Sequence, residues 1–413
     1  MTSSRSQERI LLCLYSFPPL GGPRAIRWLH LAKTLSERGW AIDVLTVRPS
    51  TSDSFYDESL LEALPSGIRV FRTYPGVFYS LIHFKKRPVR GFPKTTIEWL
   101  PFGLIQGRRM IKSHQYSAII SSALPFVGHI VGYFLKRWTQ TPWVADYGDL
   151  FKFNPVRSKT KRLVGGIAEH YLLNEADALI VPFEEMKEEF LNYYPFLKTK
   201  KISAIQHGIS EDIDSIKSAF FENKFMISYV GSFYKNDREP YQFFRGLSLL
   251  KKESKIMDNI RVIIAGNTEQ RYINFASRLG LTESVEFLRH VDFHRAVSIL
   301  KGSSTILYLG GKKSGYHFPS KILVSAASGR PIIGVRQSPR DLGADFIDKN
   351  NLGIVVSMDT KEIAKAIQRL YGQWENNTLD KSFKPIRKED YYWRERGKEL
   401  EAFLLSVIKE NSE

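Results

Sequence analysis

Cysteine is almost absent: the chain has one, Cys13. That excludes an internal disulfide framework and any cysteine-based zinc site. Its place in the apolar run at 10–16 marks it as a core thiol. Long apolar runs are absent too. Within the longest uncharged stretch, residues 117–135 are broken by Ser121, Ser122, Pro125, Gly128, His129 and Gly132. It reads as strand, turn and helix rather than a membrane span. The polar N-terminus is followed by an apolar run too short for a signal-peptide core, so a cytoplasmic chain is expected. Acids are scarce relative to bases, 43 Asp and Glu against 60 Lys and Arg, for a net charge of +17. Such a balance favours an anionic partner: nucleotide phosphates, an anionic membrane surface or nucleic acid. No His, Asp and Glu residues recur at metal-ligand spacing, so no metal is expected, and there is no short repeat or low-complexity segment.

What is present is a repeated strand–loop–helix pattern. An apolar strand at 10–16 leads into the loop 17–23, Phe-Pro-Pro-Leu-Gly-Gly-Pro, and then a helix at 24–38 stopped by Gly39. Short apolar strands follow at 40–47, 68–72, 118–121, 143–146, 178–182 and 201–205. The pattern restarts with strands at 225–231, 261–266, 285–288, 305–309, 331–335 and 353–356, and helices at 241–252, 271–279, 293–300 and 360–370. Strands alternating with helices predict parallel sheets covered on both faces. At 413 residues the expected fold class is α/β, two doubly wound domains: an N-terminal one at 1–206, a C-terminal one at 207–385, and a closing helix within 386–413.

Residues 76–113 depart from that pattern. Lys85, Lys86, Arg87, Arg90, Lys94, Arg108, Arg109 and Lys112 face a single acid, Glu98, with Phe78, Tyr79, Phe84, Phe92, Trp99 and Phe102 interleaved. Two readings stand: a solvated basic insertion packed by aromatics, or a surface lying peripherally on anionic lipid. No nucleic-acid motif accompanies the charge, and nucleic acid is not expected as a partner.

Ligands of doubly wound domains sit at the carboxyl ends of strands, which directs attention to loops. Gly21 and Gly22 allow close backbone approach, and Arg24 and Arg27 follow them. Asp146 and Asp149 end a strand and can accept hydrogen bonds from hydroxyls or take a proton. Ser122 and His129 lie after another strand. In the second half, Gly231 and Ser232 precede Lys235 and Arg238, and Gly266 and Asn267 follow a further strand. His207-Gly208 reads as the inter-domain turn. Pro319, Ser320 and Lys321 open a helix after a Gly-rich loop, where backbone N–H groups and a dipole favour an anion.

These motifs, in this order, resemble the GT-B glycosyltransferases, family 4-like, and within them a polysaccharide-biosynthesis subgroup. The resemblance rests on the Pro-Pro-x-x-Gly-Gly loop at 18–22, Trp99-Leu100-Pro101 and the Trp-x-Ala-Asp segment at 143–146. It continues through Gly231-Ser232-Phe233-Tyr234, Pro319-Ser320-Lys321 with Gly329-Arg330-Pro331, and Tyr392-Trp393. It implies two Rossmann-like domains facing across a cleft, with the closing helix crossing back to the N-terminal one. It implies transfer, with retention and without metal or cofactor, of a sugar from a nucleotide-diphosphate donor to a glycan or lipid-linked hydroxyl.

By the same resemblance Gly21, Gly22, Gly231, Ser232, Lys235, Gly266, Tyr316, Pro319 and Ser320 hold the donor. Lys321 and Arg238 stabilise the leaving diphosphate, Asp149 and Asp146 act at the acceptor hydroxyl, and His129 and Arg24 bind the acceptor. The chain departs from the family at three places. Tyr316 and Val324 replace a pair of glutamates, Gly148 replaces an arginine, and Ser232 stands at another arginine position. The alternative reading is a degenerate transferase fold acting as a binding or scaffolding subunit.

Overall fold

The computed structural model describes residues 8–411 apart from 52, 54–55, 77–95, 124, 153–157, 220, 222, 290 and 313–317. The chain divides into two compact units, Met1–Gly208 with Trp393–Glu413, and Ile209–Tyr392.

The first unit carries a seven-stranded sheet in the order β3-β2-β1-β4-β5-β6-β7. The strands are β1 Arg9–Cys13, β2 Ala41–Val47, β3 Ile68–Thr73, β4 Ala118–Ser122, β5 Trp143–Asp146, β6 Ala178–Val181 and β7 Lys201–Ala204. Every pairing is parallel. Strands buried on both faces are mainly apolar, and β1 and β4 are buried along nearly their whole length. Cys13 is wholly buried among them, and its thiol is pushed up by that burial.

The closing helix, Trp393–Glu410, belongs to this unit. Its Leu400, Leu404 and Val407 share a core with Trp28, Leu31 and Leu35 of the helix Pro23–Glu37. The two helices touch closely at Gly397, where a Cβ would lie 2.2 Å from the Thr34 methyl. The Trp393 ring stacks on His30 at 5.0 Å.

The second unit carries a six-stranded parallel sheet, β10-β9-β8-β11-β12-β13. Its strands are β8 Phe225–Val230, β9 Ile260–Ala265, β10 Val285–Leu288, β11 Thr305–Leu309, β12 Ile332–Val335 and β13 Gly353–Val356. The helices Tyr241–Glu253 and Thr360–Glu375 close one side through Phe243, Phe244, Leu247, Ile363, Ile367 and Leu370.

The expected doubly wound α/β class is therefore met: four strands fall on the expected residues and the others differ by one to three at an end. The helix Leu100–Ser113 lies inside the basic segment and follows from no apolar period noted in the sequence. Of that segment, the aromatic and basic residues at 77–95 lie outside the described residues.

Both strand orders reverse direction once, between β1 and β4 in the first unit and between β8 and β11 in the second. At such a switch the connections leave in opposite directions and open a crevice at the carboxyl ends of the strands. Each unit has its polar cluster there.

Candidate functional site

In the first unit the cluster is built around Asp146, the last residue of β5, which has no solvent exposure. Its Oδ2 accepts from Ser122 Oγ at 2.7 Å, Trp28 Nε1 at 2.8 Å and an Arg24 guanidinium nitrogen at 3.2 Å. Its Oδ1 faces the fully buried Arg27 at 3.6 Å. Burial alone raises the carboxyl pKa. Arg27, Arg24 and the bonds from Ser122 and Trp28 together outweigh it and hold the group below its ordinary value.

This placement does not fit Asp146 as the residue that takes a proton from an acceptor. The carboxylate has no exposure, and its Oδ2 already accepts three hydrogen bonds from the chain. Its role is to fix two arginines in the first turns of the helix Pro23–Glu37. Gly22 caps that helix with φ +99°, a conformation that excludes most side chains, and contributes no side-chain cap.

Arg24 shows what Gly148 is for. A Cβ at 148 would fall 0.7 Å from an Arg24 guanidinium nitrogen. The glycine therefore leaves the place for Arg24, and the local positive charge is kept, donated from another element. Arg24 is one-fifth exposed and paired on its inner side, so it presents an ordered cation at the crevice. Arg27 donates to the Gln206 carbonyl at 3.1 Å, while its Nε and one terminal nitrogen have no hydrogen-bond partner. Burial pulls its pKa down to about 10, still far above neutrality. Asp149 is half-buried in the turn after β5, and Gly21 and Gly22 are half-buried in the loop after β1.

His129 does not serve as an acceptor contact in this structure. The ring has no exposure and packs against Tyr147, Phe126 and Trp143. Its Nδ1 lies 2.7 Å from Ser121 Oγ, which accepts from Trp143 Nε1 at 2.7 Å. Burial pushes its pKa down to about 3, so the imidazole is neutral.

In the second unit the cluster is cationic. Gly231 follows β8 and Gly266 follows β9. Gly266 has φ +143°, and a Cβ there would lie 2.2 Å from the Gly231 carbonyl oxygen. The two backbones meet with no side chain between them. The segment 234–238 folds back on itself, pairing Tyr234 with Arg238. Lys235 is exposed on this turn, whereas Arg238 is half-buried.

Burial works against the Arg238 charge, but Tyr229, Tyr308, Asp237 and Tyr234 together hold its pKa above the ordinary value. Its Nε has no hydrogen-bond partner. Lys321 keeps access to solvent, yet its pKa is lowered, first by the protein packed around it and then by the Arg238 charge. Cations grouped with bare backbone at one end of a sheet are an arrangement able to take an anion.

Of the sequence candidates, the structure brings Arg238, Lys321, Gly231 and Gly266 to one end of the sheet and leaves Lys235 outside the repelling pair. Ser232 is half-buried, and its carbonyl accepts from Tyr229 Oη at 3.1 Å. Ser320 gives the helix Lys321–Ala327 no side-chain cap. Pro319 packs beside Gly343 and Tyr308. Tyr316 lies outside the described residues. Val324 is half-buried against the core of this unit.

Sequence reasoning missed a support under the cations. Tyr308, in β11, donates to Asp341 Oδ1 at 2.7 Å, and Asp341 caps the helix Leu342–Lys349 through the Ala344 N–H at 3.2 Å. Gly310 is obligatory beside it, since a Cβ would lie 1.8 Å from Asp341 Oδ2. The Gly310-Gly311 pair directly after an apolar strand was the available signal. Among the described residues, no three or more His, Cys, Asp and Glu side chains are grouped as a metal site.

Residues 21–202 match the model of the glycosyl transferase 4-like domain, and residues 210–384 that of the glycosyl transferases group 1. An uncharacterised glycosyltransferase of Methanocaldococcus jannaschii is 28% identical over 251 residues, 57% of this chain and 60% of that protein, so the chain spans less than two thirds of that relative. Sucrose-phosphate synthase from Thermosynechococcus elongatus superposes with a TM-score of 0.66 at 17% identity over 97% of both chains. The Anabaena protein HepE, solved in complex with UDP, gives 0.67 at 14% identity over 97% of this chain and 100% of that one. Two family models in this order, each on its own doubly wound parallel sheet, settle the assignment: the chain belongs to the GT-B glycosyltransferases, family 4-like.

Proposed function

We propose that the second unit binds a nucleotide-diphosphate sugar and that the chain transfers the sugar to an acceptor hydroxyl. The observation that carries this reading is the pairing of Arg238 with Lys321 beside the bare backbone of Gly231 and Gly266. A departing diphosphate gains negative charge in the transition state, and fixed cations at that place stabilise it most when little water competes. Arg238 suits the task because a guanidinium can span two phosphate oxygens. The charge a metal would supply is thus available from side chains, which fits transfer without a metal and with no cofactor beyond the donor itself.

On this reading Asp149 orients the acceptor in the first unit, with Arg24 held ready by Asp146. Retention of configuration and a glycan or lipid-linked acceptor in surface polysaccharide or glycolipid assembly follow from the sequence resemblance. HepE, similar in fold, was solved with UDP, which makes a uridine nucleotide the first donor base to try.

The test is thermal unfolding of the purified protein with UDP, GDP, ADP, dTDP, CMP and their common sugars. A ligand that binds only the folded state raises the melting temperature. A selective shift, abolished in Arg238→Ala, is the expected result. No shift with any of them overturns the reading and leaves a transferase fold that serves as a non-catalytic binding subunit.

A further inference from the structure

Three helices of the first unit lie side by side: Leu100–Ser113, Val127–Thr139 and Lys159–Glu175. Gly107 of the first packs on Leu135 of the second. The Tyr133 hydroxyl of the second meets Tyr171 of the third at 2.7 Å. The third helix is apolar on its outside. Leu163, Val164, Ile167 and Tyr171 are 67%, 65%, 68% and 50% exposed. At about 100° per residue these four fall within roughly one 100° arc, a continuous stripe. The opposite side of the helix faces the protein, with Gly165 against Phe151 and Gly166 against Lys152. Trp138, 45% exposed at the end of the second helix, continues the apolar surface, with the Arg108 guanidinium 5.6 Å from its ring centre.

The charge around this stripe is mostly positive, with Glu175 beside Tyr171 at one end. Arg108, Arg109, Lys112, Arg137 and Lys159 are exposed on the three helices. The only carboxylates in the three are Glu175 and Glu169. Glu169 is buried and spent internally, accepting from the backbone N–H groups of Phe151 and Lys152 and from Tyr194 Oη. An isolated exposed leucine needs no explanation, but four aligned on one helix and rimmed by unpaired positive charge do.

We infer that this face docks onto an anionic lipid surface, with the stripe of Leu163, Val164, Ile167 and Tyr171 inserted at headgroup depth and the basic rim on lipid phosphates. A helix with one apolar stripe and basic flanks lies in the membrane interface in this way, and aromatic rings such as Trp138 and Tyr171 prefer that level. No helix among the described residues is long and apolar enough to cross a membrane, so contact here is from one side. A second copy is the poorer occupant, because it would set two acid-poor, basic faces against each other. The inference stands apart from the sugar chemistry and is measured without any donor.

The experiment is co-sedimentation of the full chain with vesicles of phosphatidylcholine alone and of phosphatidylcholine with about one third phosphatidylglycerol. The expected result is binding to the anionic vesicles, weakened by salt, and about tenfold weaker in the double variant Leu163→Gln, Ile167→Gln. Those side chains are exposed, so the variant should melt as the wild type does. Should it fail to fold, Arg108→Gln with Arg109→Gln reads the same surface and should reduce the preference for anionic over neutral vesicles. Wild type left in the supernatant with both vesicles overturns the inference, as does a folded double variant that binds like wild type. Self-association in the absence of lipid that the double variant abolishes would also overturn it, in favour of a second copy.

Discussion

Asp146 and Arg238 both lie at the carboxyl ends of their sheets, Asp146 ending β5 and Arg238 following β8, and their surroundings are opposite. Asp146 is a buried anion whose donors are all protein groups: Ser122, Trp28, Arg24 and Arg27. Arg238 is a half-buried cation whose charge Tyr229, Tyr308 and Asp237 favour, and it lies near enough to a second cation, Lys321, to lower that group's pKa. The first cluster is electrostatically closed and holds its own geometry. The second leaves two cations on the same side of the sheet, with Lys321 lowered in part by Arg238. The carboxyl ends of two similar sheets thus carry a closed framework in one unit and, on the proposed reading, a donor site in the other.

That contrast can be broken from either side. The largest effect is expected from Asp146→Asn, which leaves Arg27 buried without its counter-ion. Stability should fall by about 3–5 kcal/mol, read by denaturant unfolding. A loss well under 1 kcal/mol would show that the first cluster is not closed. Next comes Arg238→Ala, which should lower kcat/KM for transfer by about a hundredfold or more while leaving the fold intact. Unchanged turnover would remove the cation pair from the chemistry. Gly148→Ala comes third. Its methyl displaces the Arg24 guanidinium, at about 1–3 kcal/mol of stability, and should weaken acceptor use more than nucleotide binding.

A pH series sharpens the comparison within the first unit. His129 and His207 have pKa values lowered by burial from 6.5 to about 3. Between those pH values the unfolded chain binds protons that the folded chain refuses. Stability should therefore fall as pH falls through that window, by about 1.4 kcal/mol per unit for each histidine. His129→Gln should remove one histidine's share of the slope; an unchanged slope would show that His129 is not held neutral. The smallest effect is expected of Val324→Glu, which restores a carboxylate of the family pattern. Because Val324 packs against the core, transfer should stay level or drop, and a large gain would show that the missing glutamate limits this enzyme.

The strands were legible because a parallel strand buried on both faces is mainly apolar, and such runs as Ile10–Leu12 and Ile306–Leu307 are short and unambiguous. The helix Leu100–Ser113 was less so, because its burial rests on Gly103, Gly107 and Met110 rather than a stripe of large residues. In the sites, glycines after strands pointed to the right loops. Distinguishing Lys235 from Arg238 required the backward fold of 234–238. Demoting His129 required knowing that its helix turns it into the sheet, where Trp143 and Tyr147 close over it.

The sequence by itself determined two doubly wound parallel sheets, their glycine-bearing loops and a chain short of acids, because apolar period and backbone freedom are local properties. Only the tertiary structure decided which charges meet. Arg24 reaches Asp146 across 122 residues and fills the place vacated at Gly148. Lys321 comes within range of Arg238, and a stripe of leucine, valine, isoleucine and tyrosine stays outside the core. Such facts depend on distances between side chains far apart in the chain, and electrostatic energy and burial are both functions of those distances.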